Sequence, residues 1–297
     1  MLRRTYAILA GLLGAVALGV VAHAQQPAPP PFATTKVDGT DGVYIFRNGG
    51  HQAMFVVTSA GVIATDPIGY GRPTGGQTYL DEIKKVTSQP VKYVIYSHHH
   101  FDHIAGGKAF KDAGATFIAH RRAQERLAAI KDPHTVMPDE VVGDGGRTIT
   151  LGDTTLELIY LGLNHSDSTL LMRLPKDKIV FAVDFISVGS VPGRGMIDSY
   201  PLEWGKSLEK VIAMDWDRLI PGHPGPGGRL GTKKDVQDLL TFLQDASAAV
   251  KAEAQAGKCW DGVEKGLKLP KYESWPGYET NLPFVLRRYC GLWGRGT

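Results

Sequence analysis

The chain has 297 residues, with 33 lysines and arginines against 30 aspartates and glutamates, and 43% of its residues are hydrophobic. That near balance of charge, without a basic cluster, argues against nucleic acid or an anionic membrane surface as a partner. The length suffices to bury a substantial core, as one large α/β domain or two small ones.

Taken in order, the chain opens with Arg3 and Arg4, an uncharged apolar run, and the small-residue pattern Ala22-His23-Ala24. This layout predicts a secretory signal peptide over residues 1–24, cleaved near Ala24, since the run is short for a membrane span. The mature protein is thus expected to be secreted or periplasmic, with no stable membrane association after cleavage. Losing Arg3 and Arg4 leaves it a formal charge of +1, from 31 basic and 30 acidic side chains. Residues 25–38, beginning "QQPAPPPFATT", read as an extended, disordered Pro-rich tether.

Apolar runs bounded by Gly, Asp and Asn then predict strands: "GVYIFR", "AMFVVTSAGVIATD", "VKYVIYS", "ATFIAH", "TTLELIYLG", "STLLMRLP", "KIVFAVDFI" and "DRLIPGH". Turn signals such as "NGG" and "PKDK" separate several of them into hairpins. Helical periodicity falls at about 76–87, 104–112, 121–130, 202–214 and 233–256. Strands in bulk interrupted by helices imply sheets flanked by helices. Residues 257–297 are aromatic and Pro-rich, and read as a segment packed on the main body rather than a separate domain. They hold both cysteines, Cys259 and Cys290, which in an exported chain are expected to form a disulfide.

Chemistry concentrates in "SHHHFDH", residues 97–103. On an extended strand end only His98 and His100, two apart, share a face, so His99 points to the other side. Asp102 and His103 follow as the chain turns into the next helix. Later strand ends supply His165 in "YLGLNHSDS", Asp184 in "FAVDFI" and His223 in "LIPGHPG". A carboxylate embedded in so apolar a strand is costly to bury without a partner, and a metal ion is an economical one.

HxHxDH followed by a separate His, Asp and His resembles the metallo-β-lactamase superfamily over about residues 42–256. The resemblance implies an α/β fold, a four-layer αββα sandwich of two mixed sheets flanked by helices, as one domain over 39–256. It implies that His98, His100 and His165 hold one divalent metal ion, Asp102, His103 and His223 a second, and that Asp184 bridges them. Imidazoles and carboxylates without thiolate suit zinc, although iron or manganese would accept the same donors. Two divalent ions and two carboxylates leave a positive site that would bind a bridging hydroxide as nucleophile. Asp102 would steer that nucleophile and relay its proton.

The same resemblance implies a carboxylate near the site that hydrogen-bonds a ligating histidine, and Asp66 fits that place, although "TDP" also reads as a turn initiator. Asn164 reads equally as a donor to the substrate carbonyl and as a turn residue. The loop over residues 187–204 is expected to shape the pocket, with Tyr200 offering a phenol to an oxyanion and Arg194 pairing with a substrate carboxylate. Both also fit ordinary loop packing. His51, in the turn "NGGHQ", could reach the pocket rim but reads rather as an exposed turn residue; His120 and His134 read as structural.

A bridging aspartate is typical of the glyoxalase II-like thioesterases and lactonases of the superfamily, whereas its β-lactamases mostly carry cysteine or no ligand there. The expected enzyme is therefore an exported, binuclear zinc hydrolase cleaving an ester, thioester or lactone bond of a small molecule, with a β-lactam bond left open. "NHSDS" after the strand departs from the superfamily's usual "GHT", which puts transfer of substrate identity in doubt. Two alternatives compete: a mononuclear iron dioxygenase on the same scaffold, and a non-catalytic periplasmic metal-binding accessory protein.

Overall fold

A computed structural model of the chain describes residues 30–297, so the signal-peptide reading and the first part of the tether lie outside the described residues. Seven strands form the first sheet in chain order: β1 (Phe32–Lys36), β2 (Val43–Asn48), β3 (His51–Thr58), β4 (Gly61–Thr65), β5 (Val91–Ile95), β6 (Thr116–His120) and β7 (Glu140–Val142). The second sheet runs β12 (Arg218–Pro221), β11 (Ile179–Ala182), β10 (Leu170–Leu174), β9 (Thr154–Tyr160) and β8 (Arg147–Leu151). Both are mixed. Hairpins connect β1 to β4 and β8 to β11, while β4 to β7 and the β11–β12 pair are parallel.

Among the described residues eight α-helices accompany them: α1 (Gly75–Val86), α2 (Phe101–Ile104), α3 (Lys108–Asp112), α4 (Arg121–Ile130), α5 (Pro201–Ala213), α6 (Lys233–Gln255), α7 (Asp261–Gly266) and α8 (Tyr278–Arg295). Side-chain alternation along the strands builds the layers. Ile95, Ile118, Leu170, Met172, Ile179 and Phe181 pack between the two sheets. Their neighbours Val94 and Phe117 face α1 and α3 on one outside, with Tyr79, Ile83 and Phe110. Leu171, Val180 and Ala182 face α5, α6 and α8 on the other, with Trp204, Leu239 and Leu286. The result is the four-layer αββα sandwich.

One expectation fails at the amino end. Phe32–Lys36, assigned to the disordered tether, pairs antiparallel with β2, from Phe32 opposite Asn48 to Lys36 opposite Tyr44. The prolines stop at Pro31, and the following Phe-Ala-Thr-Thr has both the backbone donors and the β-propensity to cover an open sheet edge. Strands β7 and β8 also escaped the apolar-run criterion, because each buries a single residue fully.

At the carboxyl end, α7 and α8 pack onto the α5–α6 layer through Val263, Leu282, Val285 and Tyr289. Cys259 and Cys290 form a disulfide that closes this segment on itself across 31 residues. Loop closure of that length confines the unfolded chain. Replacing both cysteines by serine should lower unfolding free energy by about 2–4 kcal/mol, measured by urea denaturation under non-reducing conditions.

Candidate metal centre

The candidate centre lies at one end of the sandwich, where chain direction collects the strand ends. β4 and β5 run parallel in one sheet, β11 and β12 in the other, and their carboxyl ends carry Asp66, the His98–His103 stretch, Asp184 and His223. Open α/β sheets gather ligands at such ends. The β9–β10 connection brings His165 to the same place. Gln52 fastens the two sheets there: its backbone N–H donates to Gly222 O at 2.6 Å and its side-chain amide to Pro221 O at 2.9 Å. Gly222 itself has to be glycine, since a Cβ would stand 2.5 Å from Val183 Cγ1.

Asp184 is the pivot. Its Oδ2 lies 3.6 Å from His98 Nε2 and 3.3 Å from His165 Nε2. Its Oδ1 lies 3.1 Å from His103 Nε2 and 2.9 Å from His223 Nε2. One oxygen thus faces each of two histidine groups. Donor atoms of His98, His100, His165 and Asp184 fall within 4.8 Å of one another, as do those of His51, Asp102, His103 and His223. His100 turns Nδ1 toward His165 Nε2, at 3.0 Å, and its Nε2 to Asp198 Oδ2, at 2.8 Å. The donors fit a pair of divalent cations on one further ground: His98 Nε2, His103 Nε2 and Asp184 Oδ1 are buried without a hydrogen-bond partner. Unpartnered buried polar atoms are expensive, and cations would satisfy all three.

Asp184 also holds a left-handed backbone, φ +64°, at a non-glycine position. Such conformations cost on the order of 1–3 kcal/mol and cluster at functional sites. Asp66, φ +31°, shares this feature.

Electrostatics divides the centre in two. Burial holds His98 well below the usual imidazole range and His165 at about 4, so both stand neutral as donors at pH 7. In the other group, burial works to lower His223, but the Asp184 charge outweighs it and the pKa rises to about 9. Burial likewise opposes ionisation of Asp184, yet the charges of His103 and His223 hold its pKa well below the usual carboxylate range. Asp102 settles at about 2, because its hydrogen bond to His51 and the His103 charge outweigh burial.

The remaining expected residues scatter. Asp66 is fully buried, but its Oδ1 accepts the Ser97 N–H at 2.8 Å, and no histidine donates to it. It reaches a histidine indirectly, since Ser97 Oγ sits 2.9 Å from His98 Nδ1. Asp66 carries a pKa of about 6, raised by burial. Asn164 spends its side chain on the local turn, donating to Gly162 O and accepting from Ser166 N, and is unavailable to a substrate. Tyr200 precedes α5 and does not line the cleft. Arg194 does line it, with its guanidinium 5.6 Å from the Phe284 ring centre. His99 bonds Ser168 Oγ through Nδ1 at 2.8 Å, while its Nε2 stands 3.9 Å from Asp198 Oδ2, the partner of His100.

Two residues were missed. His51, read as exposed, is half-buried in the centre with Nε2 3.2 Å from Asp102 Oδ2. The signal was topological: β3 runs antiparallel to β4, so its first residue lies at the edge where β4 ends. Asp198, 98 positions beyond His100, had no signal in the pattern of residues. The cleft above the centre measures about 560 Å³ and is walled by Ile186, Val188, Val191 and Pro224 on its apolar side, with Pro276 and Asn281 from the carboxyl segment.

These protonation states set a measurable consequence. At pH 7 the metal-free chain carries a proton on His223 that cation binding must displace, whereas His98 and His165 have none to lose. Zinc uptake by the second group should therefore release about one proton more from the parent chain than from His223→Ala, as read by calorimetry in buffers of different ionisation enthalpy.

Known proteins resemble this chain over much of its length. The chain is 24% identical over 228 residues to the 2,4-dinitroanisole O-demethylase subunit alpha of Nocardioides sp. (strain JS1661), covering 76% of this chain and 66% of that one, just under two thirds of its length. It is 27% identical over 194 residues to the metallo-beta-lactamase type 2 of Bacillus cereus, covering 64% and 72% of the two chains. Among solved structures, the metallo-beta-lactamase from Pontibacter korlensis superposes with a TM-score of 0.63 at 21% identity, covering 72% of this chain and 99% of that one, a likeness of fold. Residues 73–223, just over half of the chain, match the model of the metallo-beta-lactamase superfamily, and the protein belongs to that superfamily of metal-dependent enzymes.

Proposed function

We propose that this protein is an exported hydrolase that holds two zinc ions and cleaves an ester, thioester or lactone bond in a small molecule. His98, His100 and His165 would hold one ion, and Asp102, His103 and His223 the other, with Asp184 shared between them. The observation that carries this reading is the division of the Asp184 oxygens between two histidine groups. The export half of the proposal rests on the sequence of residues 1–24.

When bound, the ions supply water activated near neutral pH and Lewis-acid polarisation of the scissile carbonyl. The chain does the rest. Asp102, ionised and 41% exposed at the cleft, accepts a proton from the attacking water. The apolar wall of Ile186, Val188, Val191 and Pro224 takes the substrate's hydrocarbon part and narrows the access of bulk water. Arg194, on the same cleft, pairs with a substrate carboxylate. An aspartate rather than a cysteine at position 184 favours the acyl esters over a β-lactam, while the names of two relatives keep β-lactams and aryl ethers in the test.

Metal counting on the purified mature chain, paired with a panel of esters, thioesters, lactones, β-lactams and 2,4-dinitroanisole, tests the proposal. Two zinc ions per chain and turnover of at least one acyl substrate are expected, with Asp184→Ala lowering kcat/KM at least about a hundredfold, or about 2.7 kcal/mol. A single iron with oxygen-dependent activity, or metal binding without turnover across the panel, would sink it.

A further inference from the structure

The β2–β3 turn, residues 48–51, and Arg72 lie outside the stretch that matches the family model, yet they hold two members of the second histidine group. Gly50 O accepts a hydrogen bond from His223 Nδ1 at 2.7 Å. That bond places the proton on Nδ1 and leaves the Nε2 lone pair directed at the centre when the ring is neutral. One residue on, His51 Nδ1 meets the Arg72 guanidinium Nη2 at 3.0 Å. Arginine only donates, so His51 Nδ1 is the acceptor and the ring proton of neutral His51 resides on Nε2. That Nε2–H faces Asp102 Oδ2 at 3.2 Å. Arg72 is held beside the turn by a second bond, Nη1 donating to Tyr70 O at 3.2 Å, and Gly49, at φ +61°, lies against its guanidinium, a Cβ there standing 3.4 Å away.

We infer that Arg72 and the Asn48–His51 turn are a positioning frame for the second metal position: Arg72 fixes the tautomer of His51, and His51 fixes Asp102 by donating to one of its two carboxylate oxygens. His51 therefore stands in the centre as a donor to a ligand and not as a ligand. An imidazole whose Nδ1 accepts from arginine and whose Nε2 bears the proton has no lone pair left for a cation. Among the described residues the hydrogen bonds of the first position come from outside this turn: His98 Nδ1 meets Ser97 Oγ and His100 Nε2 meets Asp198 Oδ2. The frame acts on one half only. This inference rests on the two-ion reading above.

Stepwise zinc affinities, measured by competition with a chromophoric chelator on the full mature chain, test it. Outer partners of metal ligands are worth about 10–100-fold in affinity. His51→Ala and Arg72→Leu should each weaken the second ion by that factor and leave the first within about twofold. His51→Gln, whose side-chain amide can donate to Asp102, should recover most of the loss. Equal loss in His51→Ala and His51→Gln would make His51 itself a ligand and overturn the inference. Unchanged second-ion affinity in His51→Ala, or equal weakening of both ions, would also overturn it while leaving the two-ion reading intact. A parent chain that takes up one zinc would overturn both.

Discussion

The structure turns on an ionised carboxylate largely withdrawn from water at the edge of the cleft. Asp184 follows an apolar strand, is almost wholly buried, and holds a left-handed backbone conformation. Such a group is stable as an anion only if positive charge or hydrogen-bond donors surround it. Four imidazoles approach it within 3.6 Å, two at each oxygen. Much of the surrounding architecture serves to bring them there: the parallel β11–β12 pair, the missing Cβ at Gly222, and the Gln52 bonds across the two sheets.

The two halves around Asp184 differ in wetness, and that difference has chemical content. In the first half His98 and His165 are buried and neutral, while His100, on the cleft, has its pKa raised because the hydrogen bond and charge of Asp198 outweigh burial. The second half has Asp102 41% and His223 46% exposed, with charge on both. Water and substrate meet the centre on this side, beside the apolar wall of the cleft. An exposed half also needs external support to keep its geometry, since solvent competes for every hydrogen bond. The β2–β3 turn supplies that support from one side and the carboxyl segment lines the cleft from the other.

Much of this was legible in the order of residues. Apolar runs marked the strands on which Ile95 and Ile118 face one layer and Val94 and Phe117 the other, and period-two alternation set His98 and His100 apart from His99. A lone aspartate in "IVFAVDFI" marked itself by its burial cost. The failures share a cause. Asn164 was judged by what its side chain offers, while the 162–166 turn had already engaged it, and one oxygen of Asp66 is taken by the Ser97 N–H while the other is buried without a partner. Phe32–Lys36 was judged by the prolines before it and not by the open edge of β2 that it covers.

The residue types and spacings in the sequence by themselves determined sheets flanked by helices and the histidines and aspartates at the strand ends, and the resemblance those residues carry implied the αββα class and the seven residues that converge on the centre. The first follow from local periodicity and from the cost of burying a carboxylate without a partner. Only the tertiary structure decided which oxygen of Asp184 faces which histidines, that His51 belongs inside, and that Asp198 backs His100 from 98 positions away. It also decided that the carboxyl segment, through Pro276 and Asn281, forms part of the cleft. These depend on strand direction and on the packing of segments distant in sequence, for which linear spacing carries no information.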